Sequence, residues 1–198
     1  MSEHVHHAKS SIKFLDSDEI LSQLNLKGSE AFMDAGCGDG HIAIKAIEDY
    51  LPEGLAYAVD NYGPSIDELE EYKAENGLEN LICINADITV DIPQIEDGAV
   101  DMIFMLNVVH GFKASGIMDD VIDNLLRILK DEGKFAIVEF SPIEWSFGPP
   151  VEIKYAPEEL EAIFNSHGFR KSYLNDIGEE GPDGKSHYLI IFEKEQHK

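Results

Sequence analysis

Three glycines at alternate positions, Gly36, Gly38 and Gly40, separate a short apolar run, Ala31 to Ala35, from a segment whose helical periodicity begins at Ile42. A strand that gives way to glycines and resumes as a helix makes a tight turn that a ligand can approach closely, because no Cβ stands in the way. The pattern predicts an α/β chain with a ligand lying across that turn. Its G-x-G-x-G spacing departs from the G-x-G-x-x-G of turns that hold a pyrophosphate, with Asp34 two residues before the first glycine and Asp39 directly before the last. Carboxylates there repel phosphate and attract a cation or an amino group, so the expected ligand carries no phosphate.

The remaining chain alternates strand and helix. Leu55 to Asp60, Asn80 to Asp87, Val100 to Asn107 and Lys134 to Phe140 read as four further strands, three of them apolar until they close on Asp or Asn. Helices are predicted from Ser17 to Gly28, His41 to Leu51, Pro64 to Gly77, Ile117 to Lys130 and Pro157 to Gly168, each with an apolar face and a Gly or Pro stop signal. Phe169 to Leu174 and His187 to Glu193 read as two closing strands joined by a turn from Gly178 to Gly184. Asp60 stands 20 residues past Gly40, at the tip of the second strand, where a carboxylate can accept both hydroxyls of a ribose. Asn61 and Tyr62 follow it, placed to flank a base. In open parallel sheets ligands lie beyond the carboxyl ends of the strands, so Leu106, Asn107 and the residues up to His110 border the reacting centre. His110 is the best-placed titratable side chain for catalysis, and a satisfied structural histidine is the competing reading.

Asp34-Ala-Gly-Cys-Gly-Asp-Gly40 resembles the first motif of the class I S-adenosylmethionine-dependent methyltransferases. Leu126-Arg-Ile-Leu-Lys-Asp-Glu-Gly-Lys-Phe135 is similar to the stretch that leads into the fifth strand of their small-molecule members. The resemblance runs from about Ser29 to Lys194. It implies a seven-stranded, mostly parallel sheet with helices on both faces and an antiparallel C-terminal strand. Residues 29–198 then form one methyltransferase domain, preceded by a tail or lid and a packing helix in residues 1–28. Asp34, Ala35, Gly36, Cys37, Gly38, Asp60, Asn61, Leu106 and Asn107 are expected to line S-adenosylmethionine. The resemblance further assigns the adenine amino group to Asp87 and a ring nitrogen to the backbone N–H of Ile88. Segments ahead of the first strand often cover the ligand in this family, which makes His6 and His7 candidate substrate contacts.

The expected activity is transfer of a methyl group to a small molecule by in-line displacement, leaving S-adenosylhomocysteine. A protein that binds the cofactor as a sensor or assembly partner is the alternative from another class. A nicotinamide oxidoreductase fits less well, since acids would stand where its pyrophosphate sits. The loop Ser141 to Pro150 holds two large aromatics, Trp145 and Phe147, and loops on rigid scaffolds commonly select substrates. Both are assigned to the substrate wall.

Charge narrows the partners. Against 15 Lys and Arg stand 39 Asp and Glu, a formal net charge of −24, with no basic cluster to hold nucleic acid or anionic lipid. The family's nucleobase-methylating runs, Asn- or Asp-Pro-Pro-aromatic and Pro-Cys, are missing from the loop after the fourth strand. No apolar run reaches the ~18 residues of a membrane span, and the N-terminus has no secretory pattern, so a cytoplasmic protein is expected. No metal site is expected either. Cys37 and Cys83 are too few for a thiolate set, and His4, His6 and His7 lack further placed ligands. Oligomeric state stays open.

Overall fold

The computed structural model describes residues 15–195. Its seven strands are β1 (Ala31–Ala35), β2 (Leu55–Asp60), β3 (Leu81–Asn85), β4 (Val100–Leu106), β5 (Leu129–Phe140), β6 (Phe169–Gly181) and β7 (Gly184–Lys194). They form one sheet in the order β3-β2-β1-β4-β5-β7-β6. Pairing is parallel from β3 across to β5, and β7 runs antiparallel to both β5 and β6.

Alternation along the central strands divides the core between the two faces. Met33, Ile103, Met105, Phe135 and Ile137 pack with α4 (Val109–Ser115), α5 (Met118–Leu126) and α6 (Pro157–Ser166) on one side. Phe32, Met102, Phe104, Ala136 and Val138 pack with α1 (Ser17–Leu21), α2 (His41–Lys45) and α3 (Gly63–Asn76) on the other. Ile20, Leu21 and Leu24 from α1 and the turn after it are buried in that second cluster. The pleat explains this split, because successive side chains on a strand point to opposite faces.

Several boundaries differ from the sequence expectation: α1 ends at Leu21 rather than near Gly28, β3 covers only Leu81–Asn85, and the loop expected after the fourth strand holds α4. Asp16 caps α1, its carboxylate accepting the Asp18 N–H at 2.8 Å. The second helix widens into a π turn over Ala46–Tyr50. Lys45 Nζ lies 3.1 Å from an Asp18 oxygen and Tyr50 Oη donates to Asp18 at 2.9 Å. A π turn sets residues five apart on one side, which lets both reach α1. The fifth helix ends at Leu126, not Lys130. There the Arg127 guanidinium is held by the carbonyls of Ile92 and Ile95, at 2.8 and 3.0 Å, and by Asp91 and Asp97. The chain therefore enters β5 five residues early, Leu129 pairing with Val100 before a bulge restores register at Lys134 and Met102. Finally, β6 and β7 extend until only Pro182 and Asp183 separate the strand pair.

Candidate active site at the carboxyl ends of the strands

The glycine turn leaves β1 with Gly36, Gly38 and Gly40 at φ +80°, +56° and +74°, a region that residues with a Cβ avoid. A Cβ on Gly36 would lie 2.7 Å from Val108 Cγ2 and one on Gly40 2.6 Å from Leu69 Cδ2, whereas one on Gly38 would meet nothing within 4 Å. Two of the glycines thus serve packing. The third leaves an open cradle. Backbone hydrogen bonds fasten this turn to β2: Gly36 N–H and Cys37 N–H donate to the Val59 carbonyl at 2.8 and 3.0 Å, and Gly38 N–H donates to Asp60 Oδ2 at 2.9 Å. The other oxygen of Asp60 accepts the Tyr62 N–H at 2.8 Å. Two oxygens offer about four acceptor directions, so the carboxylate keeps capacity for ligand hydroxyls.

Beneath the turn, Asp34 is 2 % exposed, and its Oδ2 has no partner among the described residues. Burial raises its pKa from 3.8 to about 7, opposed by the nearby His41 and a hydrogen bond from the Ala43 backbone. On the neighbouring strand, Asn107 turns the chain out of β4 at φ +56°, its N–H donating to the Val138 carbonyl at 2.9 Å. Its buried Oδ1 likewise has no partner among the described residues. Unpaired buried oxygens cost about 1 to 3 kcal/mol each unless something binds them. Val108, the residue after Asn107, rests against Gly36, so the exit of β4 and the turn of β1 form one corner.

Asp87 follows β3, one oxygen accepting the Thr89 N–H at 2.9 Å, and the Ile88 side chain is buried beside it. Asn61 is exposed and Leu106 half-buried. Cys37 is buried and desolvation pushes its thiol pKa far upward, which makes it an inert packing group; Cys83 is half-buried, its pKa raised to about 11.

A second cluster stands over the tips of β4 and β5. Glu139 is fully buried and accepts from three N–H groups: the His110 backbone at 3.1 Å, His110 Nδ1 at 3.0 Å and the Phe140 backbone at 2.8 Å. Phe140 carries the ring of His110 on one side at 5.8 Å and that of His187 on another at 4.4 Å. Phe147 contacts Phe140, Trp145 and His187 at 6.2, 6.1 and 6.3 Å between ring centres. Trp145 also covers Gly181. His187, first residue of an apolar run on β7, reads in the sequence as a strand residue with no sign of a site. It is completely buried, its Nδ1 lies 2.8 Å from Ser186 Oγ, and its Nε2 has no partner among the described residues. Burial, then Lys154, lowers its pKa to about 4, which keeps the ring neutral. The buried Lys154 donates to the Ile143 carbonyl at 2.6 Å, and desolvation lowers its own pKa. His6 and His7 lie outside the described residues.

Among the described residues no three His, Cys, Asp or Glu are grouped to hold a metal ion, and no helix is long and apolar enough to cross a membrane. A shallow groove of about 450 Å³ between Gly98, Arg127, Lys130 and Lys194 lies at the opposite, amino end of β4 and β5. Arg127, Lys130 and Lys194 are each paired with an aspartate there.

A sheet in this order, with a glycine corner between β1 and β4 where the strand order reverses, defines the Rossmann-like class of methyltransferases. The chain belongs to the methyltransferase-domain family, whose model matches residues 26–181. It resembles a SAM-dependent methyltransferase from Aquifex aeolicus, with a TM-score of 0.78 and 23% identity over 95% of this chain and 94% of that one. A putative type 11 methyltransferase from Sulfolobus solfataricus matches at 0.68 and 21%, covering 93% and 95%. A phospholethanolamine N-methyltransferase 2 of Haemonchus contortus, in complex with phosphomonomethylethanolamine and S-adenosylhomocysteine, matches at 0.70 and 14%, covering 92% of this chain and 52% of that one. S-adenosylmethionine is the methyl donor of this class. The donor set here fits it: the Asp34 and Asn107 oxygens, buried and without partners among the described residues, suit an ammonium, the open cradle at Gly38 admits a close approach, and Asp60 retains acceptor capacity.

Proposed function

We propose that this methyltransferase holds S-adenosylmethionine across the β1–β4 corner and methylates a small molecule seated over the tips of β4 and β5. The observation that carries the reading is the pair of buried oxygens without partners among the described residues, Asp34 Oδ2 on β1 and Asn107 Oδ1 just past the end of the neighbouring β4. Both are acceptors, so a cationic amino group satisfies them where a phosphate would be repelled. Asp60 takes the ribose hydroxyls, and Asp87 with the Ile88 backbone takes the adenine. Ala35, Gly36, Cys37, Gly38, Asn61 and Leu106 complete the lining. The bound donor supplies a methyl carbon on a sulfonium. The protein supplies alignment and exclusion of water, which suffice for an acceptor that is already a strong nucleophile.

His110 is the general base for an acceptor that is not. Phe140, Phe147 and Trp145 form the acceptor wall, which suits a small apolar body. The charge of −24 argues against a nucleic-acid acceptor. Residues 29–198 carry this chemistry and residues 1–28 supply the packing helix and a cover. Leu15 and His187 flank the same glycine, Gly178, so the first of the described residues lies beside the aromatic cluster.

Calorimetry with S-adenosylmethionine and with a nicotinamide cofactor tests the first half, and transfer of a labelled methyl group into a metabolite extract tests the second. Binding without any labelled product would return the protein to a sensor or assembly role. Tighter binding of the nicotinamide would refute the site.

A further inference from the structure

We propose that Glu139 is a positioning residue that fixes the tautomer of His110, and that the methyl acceptor is consequently an aromatic hydroxyl, methylated on oxygen. This rests on the site assignment above and adds the acceptor class to it.

A carboxylate only accepts hydrogen bonds. With Nδ1 3.0 Å from one Glu139 oxygen and 3.1 Å from the other, the ring carries a hydrogen on Nδ1, so that in the neutral imidazole Nε2 is the nitrogen with the lone pair. The His110 backbone N–H on the same carboxylate fixes the base of the side chain as well, so the ring is tied at two points. A fully buried carboxylate that spends its acceptor directions on one histidine and the next backbone N–H is an expensive feature for mere packing. It is the arrangement that orients an imidazole as a proton acceptor.

A base of that kind discriminates among acceptors. A thiol, with an ordinary pKa near 8.5, ionises in part at neutral pH, and an aromatic amine, uncharged there, attacks through its own lone pair; a phenol, near 10, needs its proton removed, as an alkyl ammonium does, but only the phenol matches a flat apolar wall. The walls beside His110 are aromatic, with Phe140 touching it and Phe147 beyond, and they suit a flat apolar ring better than a sugar or an aliphatic alcohol. In the step, the hydroxyl proton passes to His110 Nε2 while an oxygen electron pair forms the bond to the methyl carbon. The carbon–sulfur bond breaks with its pair remaining on sulfur. The products are an aryl methyl ether and a neutral thioether, and the imidazolium returns its proton to water.

The test pairs a spectroscopic readout with a chemical one. Nitrogen-15 shifts of the His110 ring in the intact protein should report a hydrogen on Nδ1, and Glu139→Gln should redistribute it, since an amide can also donate to that nitrogen. A wild-type ring protonated on Nε2 would overturn the proposal whatever product is found. Methyl-13C-labelled S-adenosylmethionine is then supplied with a small-molecule extract of the cells that make the protein, and the carbon shift of the transferred methyl identifies the atom it joined. An O-methyl product is expected, formed at least a hundredfold more slowly by Glu139→Gln and by His110→Ala, with cofactor affinity unchanged by calorimetry. A sulfur- or nitrogen-bound methyl, or an oxygen-bound one formed equally fast by Glu139→Gln, would refute it. Loss of cofactor affinity in the wild type would instead strike at the site assignment.

Discussion

Asp34→Asn removes one negative charge from the floor of the ligand corner while keeping the shape of the side chain. The displacement of the Asp34 pKa from 3.8 to about 7, at about 1.36 kcal/mol per pH unit, corresponds to about 4 kcal/mol. The sign follows from the direction. Because the folded value is the higher one, the neutral acid is the form the fold tolerates; the stability is fully present below pH 3.8 and is lost as pH rises through about 7. An asparagine side chain cannot ionise, so the variant should lose none of that portion. Its amide leaves an unpaired buried group at a cost of about 1 to 3 kcal/mol that does not depend on pH.

Urea unfolding of both proteins between pH 4.5 and 8.5 should therefore show a difference that swings by several kcal/mol in favour of the Asp34→Asn variant as pH rises, levelling off above 7. Binding should move the other way. An ammonium stabilises the ionised Asp34, so wild-type affinity for S-adenosylmethionine should climb as pH approaches 7 and calorimetry should detect proton release, with both effects absent in the variant. A stability difference that is flat across pH would show that Asp34 titrates as an exposed acid, and the cation-shaped corner would lose its main support.

Other substitutions probe the same geometry. Asp60→Ala should weaken S-adenosylmethionine binding at least tenfold by calorimetry, since hydrogen bonds to a charged group contribute about 1.5 to 3 kcal/mol each. Gly36→Ala drives a Cβ to 2.7 Å from Val108 Cγ2 at φ +80° and should lower the melting temperature markedly, whereas Gly38→Ala faces open space. The latter should cost only the ~1 to 2 kcal/mol of its left-handed backbone yet still reduce cofactor affinity. Arg127→Ala should destabilise the fold by about 2 kcal/mol in urea, chiefly through the carbonyls of Ile92 and Ile95, because the paired Asp91 and Asp97 side chains are 62% and 81% exposed.

The features that sequence reading found are those written in local pattern. The glycine turn needed only alternation of Gly with an apolar run before it, and the tips at Asp60, Asp87 and Asn107 stood out because a carboxylate or amide ended each buried strand. The features it missed depend on distant partners. The early start of β5 hides in Leu129-Lys-Asp-Glu-Gly133, which continues a helical pattern; the anchoring of Arg127 by a loop more than thirty residues earlier is what ends α5. The π turn likewise depends on Asp18 meeting Lys45 and Tyr50. His110 was placed by the sheet rule, but its attachment to Glu139 joins residues 29 apart. Nothing local distinguishes His187, set beside Tyr188, Leu189 and Ile190, from any other strand residue.

The antiparallel seating of β7 between β5 and β6 has a bearing on how the chain matures. Until the last strand leaves the ribosome, β5 presents a bare row of amides and carbonyls along its outer margin, the kind of border that recruits foreign strands. The glycine turn and the exit of β4 can come together before then, while the aromatic cluster must wait for His187 to arrive opposite Phe140. The part of the molecule that holds the glycine turn is thus complete in the nascent chain before the part that holds Phe140, Phe147 and His187.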